Sequence, residues 1–171
     1  MGNNIGKLMD AILTAWTKCL PPPYGSGDYS AAVDDVTDCN RFVFDVMAQF
    51  GYKKLWDSKN NWPMRANQMQ AELEINGDWL DVPGSTAQNH ANSGALVVAA
   101  WKNPVPNKSG HVCIVMPGQC VGSGKWQVPV DKPTVPKVAN VGRPSLCRLD
   151  RGANYAFGMD QPKYYALKSM I

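Results

Sequence analysis

Ala95-Leu96-Val97-Val98-Ala99-Ala100-Trp101 and Ser109-Gly110-His111-Val112-Cys113-Ile114-Val115-Met116-Pro117-Gly118 are two short apolar runs separated by Asn103-Pro104-Val105-Pro106-Asn107. The first is compact and apolar, the second is rich in β-branched residues and bounded by glycine, and a turn joins them, so together they predict a β-hairpin. Upstream the period changes. Phe42, Val43, Val46, Met47 and Phe50 keep the 3.6-residue rhythm of one helix face, and Gly51 follows as a stop. The same rhythm runs from Ile5 to Cys19 through Leu8, Ile12, Leu13 and Trp16, and Pro21-Pro22-Pro23 forbids its continuation. Tyr24 to Thr37 then reads as a loop rich in glycine, serine and aspartate. A third helical pattern spans Met64 to Ile75, with Met69 and Leu73 on its apolar face and Pro63 suited to its first turn. Asp78 to Ser93 reads as a long connection, and further strands are expected at Val135 to Val141 and Lys163 to Leu167. Helices first and strands second, with no repeat or linker between them, predict one α+β domain over residues 1–171, its N-terminal helices packed on an antiparallel sheet.

Composition narrows the function classes. A chain of 171 residues with 44% hydrophobic content can bury a sizeable core, and 15 glycines and 13 prolines at only 18% charge suggest ordered loops rather than a disordered tail. The net charge of +3 is scattered, without the basic cluster or aromatic signature that would argue for nucleic acid. The longest apolar run, Ala95 to Trp101, is far short of a bilayer span, so no membrane insertion is expected. Asp10 breaks the apolar character of the first helix and no small-residue cleavage site follows it, so that segment is not expected to act as a standard signal peptide.

The chemistry concentrates at Thr37-Asp38-Cys39-Asn40-Arg41-Phe42-Val43-Phe44. Asp38 is the expected N-cap, which sets Cys39 in the first helical turn. There the helix dipole and the outward-facing backbone amides favour a thiolate over a thiol. A small core thiol would fit the same helix, so a base is needed to distinguish the two. His90 lies in a polar stretch without periodicity and reads as a loop residue, whereas His111 opens an apolar strand, where a polar ring needs a reason. If the Cys39 helix packs across the sheet, its N-terminus can meet the start of the His111 strand. A histidine there can take the thiol proton and later protonate a leaving amine.

Five cysteines are many for a chain of this size. Setting Cys39 aside leaves Cys19, Cys113, Cys120 and Cys147, enough for two bridges in an oxidising compartment, with three pairings open. No Cys-x-x-Cys spacing occurs and His111 is the one plausible histidine ligand, so no metal site is expected. Of Trp56, Trp62, Trp79, Trp101 and Trp126, at most two are expected in a binding groove, the others being core. Arg41 and Asp45 are spaced as a solvated pair on the helix surface.

Asp38-Cys39-Asn40-Arg41-Phe42-Val43, followed about seventy residues later by Gly110-His111-Val112-Cys113-Ile114-Val115, resembles the papain-like cell-wall hydrolases of the NlpC and CHAP superfamily. Those enzymes carry Asp-Cys-Ser-x-Phe-Val on a helix and Gly-His-Val-Ala-Ile-Val on a strand. Asn40 stands where serine is commoner and Cys113 where alanine is commoner, changes not expected to touch the chemistry. Arg65-Ala66-Asn67-Gln68-Met69 is similar to their second-helix segment. The compact size and the helix ahead of the cysteine look most like the amidase effectors of type VI secretion, antibacterial toxins delivered into the periplasm of rival bacteria.

The resemblance implies a monomeric cysteine peptidase that needs no cofactor and hydrolyses an amide in the peptide stem of peptidoglycan, most often between D-glutamate and the diamino acid. N-acetylmuramoyl-L-alanine amidase or phage-lysin activity on the same fold, acyl transfer, and a catalytically silent cell-wall-binding module are the alternatives. It further implies secretion without a standard signal peptide and a cognate immunity protein that plugs the cleft. The expected catalytic residues are Cys39, His111 and, from the strand after the histidine strand, Asn140, whose side-chain oxygen can accept from the imidazole. Asp131 and Gln119 are the reserves for that third position, with Asn140 otherwise a turn residue before Val141-Gly142. Asp38, Asn40 and Trp62 are the expected substrate contacts.

Overall fold

The computed structural model describes residues 4–19, 38–126, 134–142 and 148–171. Pro21-Pro22-Pro23, the loop Tyr24 to Thr37, Asp131 and Cys147 lie outside the described residues, as does the side chain of Cys19.

The hairpin forms as the apolar runs predict. Strands β4 (Val97–Trp101) and β5 (His111–Val115) pair antiparallel, with Trp101 opposite His111. They lie in a six-stranded antiparallel sheet with β3 (Trp79–Val82), β8 (Lys137–Asn140), β9 (Arg148–Gly152) and β10 (Lys163–Leu167), ordered β3-β10-β4-β5-β8-β9. Two small ribbons flank it: β1 (Trp56–Asp57) with β2 (Trp62–Pro63), and β6 (Val121–Gly122) with β7 (Thr134–Val135).

Strand alternation divides the core into two layers. Val98, Ala100, Val112 and Ile114 face one side, where they meet Leu8 and Ile12 of α1 (Asn4–Trp16), Phe42 and Met47 of α2 (Cys39–Gln49), and Met69 and Leu73 of α3 (Ala66–Ile75). Val97, Ala99, Cys113 and Val115 face the other side, against Ala87 and Ala91 of α4 (Gly84–Asn92) and Ala153 and Phe157 of α5 (Ala153–Phe157). Cover on both faces explains why β4 and β5 are continuously apolar instead of alternating with polar residues. The molecule is a mixed α+β single domain in which N-terminal helices pack against a mainly antiparallel sheet.

Several boundaries differ from the sequence expectation. The expected connection Asp78 to Ser93 is strand β3 followed by α4, so His90 is helical rather than in a loop. The expected strand Val135 to Val141 divides at Pro136 into β7 and β8, because a proline has no N–H to give a ladder. Pro63 lies in β2, not in a helical turn. The third helix begins at Ala66, where the Gln68 side chain accepts from the Arg65 backbone N–H at 2.9 Å. Asp45 pairs with Lys18 at 2.6 Å, which ties α2 to the short 3-10 turn after α1. Cys113 and Cys120 are free thiols, which overturns a framework of two disulfides using both. Among the described residues no helix is long and apolar enough to cross a membrane.

Candidate active site

Cys39 opens α2, and its thiol has no exposed surface. Asp38 occupies the N-cap position as expected, yet its side chain makes no capping hydrogen bond, and the residue is buried. Burial raises the Asp38 carboxyl above the ordinary carboxylate value, an effect the nearby Arg41 guanidinium partly offsets.

Helix α2 packs across β5, which brings Cys39 to His111 at the start of that strand, and the two side chains are hydrogen-bonded. His111 is partly exposed, and its ring meets the Phe157 ring of α5 edge-on at 5.1 Å. On its other side His111 Nε2 lies 2.6 Å from Oδ1 of Asn140, a residue buried to within 1%. Two oxygen or nitrogen lone pairs do not approach that closely, so a proton lies between them. With the amide oxygen facing the ring, Nε2–H donates and Oδ1 accepts.

The sheet register explains how Asn140 arrives there. Strands β5 and β8 are antiparallel with Ile114 opposite Ala139 and Val115 opposite Val138. Continuing by one residue sets Cys113 opposite Asn140. On its other edge β8 pairs with β9 through a register shift between Val138 and Asn140.

Cys113 is the residue the sequence expectation left out. Its Sγ lies 3.1 Å from Asn140 Oδ1 and 3.3 Å from His111 Nε2, so the substitution expected to be inert stands inside the cluster. The signal was available: residues i and i+2 of a strand share a face, which puts Cys113 beside His111. Burial pushes the Cys113 thiol pKa up, with the His111 charge opposing, so at neutral pH it is a thiol. For His111, burial disfavours the charged ring, but ionised Cys113 and Cys39 sulfurs and hydrogen bonds from both outweigh it and hold the pKa well above 6.5.

The other expected residues distribute as follows. Asn40 is buried, and its Nδ2 donates to the Pro63 carbonyl at 3.2 Å and the Met64 carbonyl at 3.0 Å. Asn40 thus ties the β1–β2 ribbon to α2. Trp62 on that ribbon is 40% exposed with the Arg41 guanidinium 5.1 Å over its ring, and Trp56 is 37% exposed against Phe44. Trp79 and Trp126 are core residues. Gln119 is exposed beyond the far end of β5 from His111. Among the described residues no three His, Cys, Asp or Glu side chains converge as a metal site. An open groove of about 410 Å³ lined by Tyr52, Lys54, Asp78 and Lys168 shares no residue with the Cys39 cluster.

Asn67 of α3 positions the hairpin from outside. Its Nδ2 donates to the Lys108 carbonyl at 2.8 Å while its Oδ1 accepts from the Asn103 N–H at 3.0 Å. Gly110 fits beneath it because any Cβ there would strike the Trp101 carbonyl and Asn67 Oδ1. The hairpin is thereby fixed one residue before the imidazole.

No known protein-family model matches this chain, and no curated protein matches it in sequence.

Proposed function

We propose that the chain is a papain-like cysteine amidase of the NlpC and CHAP type that hydrolyses an amide in the peptide stem of peptidoglycan. The observation that carries the proposal is His111, hydrogen-bonded to Cys39 and held at 2.6 Å through Nε2 by the buried Asn140 amide. A core thiol explains the burial of Cys39 equally well. It gives no reason for an imidazole, itself held by a buried amide, to stand beside that thiol.

With Nε2 committed to Asn140, Nδ1 is the nitrogen left to face Cys39. It takes the thiol proton, and the Cys39 thiolate adds to the carbonyl carbon of the scissile amide. The Cys39 backbone N–H, in the first turn of α2, is placed to receive the oxyanion. When the tetrahedral adduct collapses, the C–N bond breaks and the imidazolium gives its proton to the leaving amine. Water, deprotonated by the neutral imidazole, then attacks the thioester, releasing a carboxylate and returning the thiol. Because Cys39 has no exposed surface, substrate entry requires the chain around it to yield.

The substrate bond, most often D-glutamate to diamino acid, and the role of an exported antibacterial effector with an immunity partner follow from the resemblance of the Cys39 and His111 segments. The test is incubation with defined peptidoglycan fragments, read by mass. The native chain is expected to give two fragments whose masses sum to the substrate plus one water, and Cys39→Ala none, with an unchanged circular dichroism spectrum. Hydrolysis retained by Cys39→Ala would sink the proposal, and capture of the acyl group by an added amine would redirect it to transfer.

A further inference from the structure

We propose that Cys113 is a positioning residue, whose thiol fixes the Asn140 amide in the orientation that makes His111 a base toward Cys39. The inference rests on the catalytic reading of Cys39 and His111 given above.

An asparagine amide has two faces of opposite character. With Oδ1 toward His111, the ring must carry its proton on Nε2, and Nδ1 keeps a lone pair for the Cys39 proton. With the amide turned over, Nδ2 would donate to Nε2, the ring proton would move to Nδ1, and the imidazole would face Cys39 as a donor. That tautomer cannot take the thiol proton. The energy separating these two states is therefore a catalytic quantity, and the groups around the amide set it.

Cys113 contributes directly to that difference. Its S–H donates to Asn140 Oδ1 at 3.1 Å, so the oxygen accepts from sulfur and from the ring at once, one bond for each lone pair. In the turned-over state the same thiol would meet Nδ2–H, donor against donor. Sulfur is only a weak acceptor, so rotating the S–H away recovers little. The geometry is built into the sheet, because the β5–β8 register sets Cys113 across from Asn140 and strand parity sets it beside His111. Both Cys113 and Asn140 are fully enclosed, so no water can substitute for the missing donor without a cavity. Among the described residues, the titratable groups acting on His111 and Cys113 include Cys39 from α2, and Tyr164 from β10 feels the Cys113 charge.

The test compares Cys113→Ala, which removes the donor, with Cys113→Ser, which keeps one. The first readout is the NMR signal of the His111 Nε2–H proton, whose position reports the bond to Oδ1. The second is the rate of Cys39 alkylation by iodoacetamide at neutral pH, resolved from the other cysteines by peptide mass. The Ala variant should lose or move the Nε2–H signal and alkylate about tenfold more slowly, the effect of one net hydrogen bond of about 1.4 kcal/mol. The Ser variant should return both readouts toward native, and Cys113→Ala should have no further effect in an Asn140→Ala background. Native behaviour of the Ala variant, equal slowing by Ala and Ser, or an undiminished effect without Asn140 would each overturn the proposal. If the Ala variant does not fold, Cys113→Val fills the space without a donor and is judged by the same outcomes. The NMR readout needs no reaction at Cys39, so a native chain that leaves peptidoglycan intact would defeat the catalytic reading while this proposal stood or fell separately.

Discussion

His111 carries three constraints at once, and only one of them is visible in the residue itself. The sequence made it conspicuous as a polar ring opening an apolar strand, and strand parity placed Cys113 beside it. The contact with Asn140 needed the β5–β8 register, which depends on how 24 residues between Val115 and Asn140 turn back, something no local pattern announces. The electrostatics lead to a prediction. Burial alone would lower the imidazole pKa, and it is charge interactions and hydrogen bonds with Cys113 and Cys39 that raise it well above 6.5. Cys39→Ser replaces the ionisable thiol with a neutral hydroxyl, so the His111 pKa should fall in that variant, followed by NMR titration of the ring. An unchanged value would show that Cys39 is not its counter-charge. The sign carries over to stability: a raised imidazole value stabilises the native state fully below pH 6.5, and the contribution disappears as pH rises through the native-state value.

At the scale of elements, α2 and the hairpin were legible because each has a strong period, while α4 was not. Gly84-Ser85-Thr86-Ala87-Gln88-Asn89-His90-Ala91-Asn92 buries only two alanines and Gln88, a stripe too narrow to register as amphipathic. Its anchor is polar: Gln88 donates to the Met116 carbonyl at 2.7 Å and accepts from the Lys137 N–H at 2.9 Å, joining the end of β5 to the start of β8. Asn40 does comparable work on the other face, where it holds the β1–β2 ribbon. Asn40→Ala leaves the carbonyls of Pro63 and Met64 without that donor, at a cost of about 1–3 kcal/mol for buried groups. The melting temperature should drop, and the fluorescence of Trp56 and Trp62 should shift to the red as the ribbon loosens. An unaltered spectrum and melting curve would mean that the ribbon is held by other contacts.

For the whole molecule, the α+β class followed from the order of periods along the chain, but the second helical layer did not, since α4 and α5 are short and weakly patterned. The two layers have different demands. The α1–α3 face holds most of the large buried apolar side chains and Cys39, so Cys39 belongs to the principal core and its environment depends on that core staying closed. Helix α1 closes it at one end, and Gly94 is what allows α1 to come close. The glycine sits at φ +85° just before β4, and a Cβ there would lie 2.5 Å from the Asn4 carbonyl carbon and 2.6 Å from the Ile5 nitrogen. Gly94→Ala therefore combines an unfavourable left-handed conformation with a backbone collision that no rotamer relieves, on the order of 2 kcal/mol or more. For a chain of this size that corresponds to a fall in melting temperature of about 4–8 °C. The loss should be concentrated in α1, seen as faster amide hydrogen exchange from Leu8 to Ala15. A variant that melts and exchanges as the native chain does would show that α1 is not seated on Gly94.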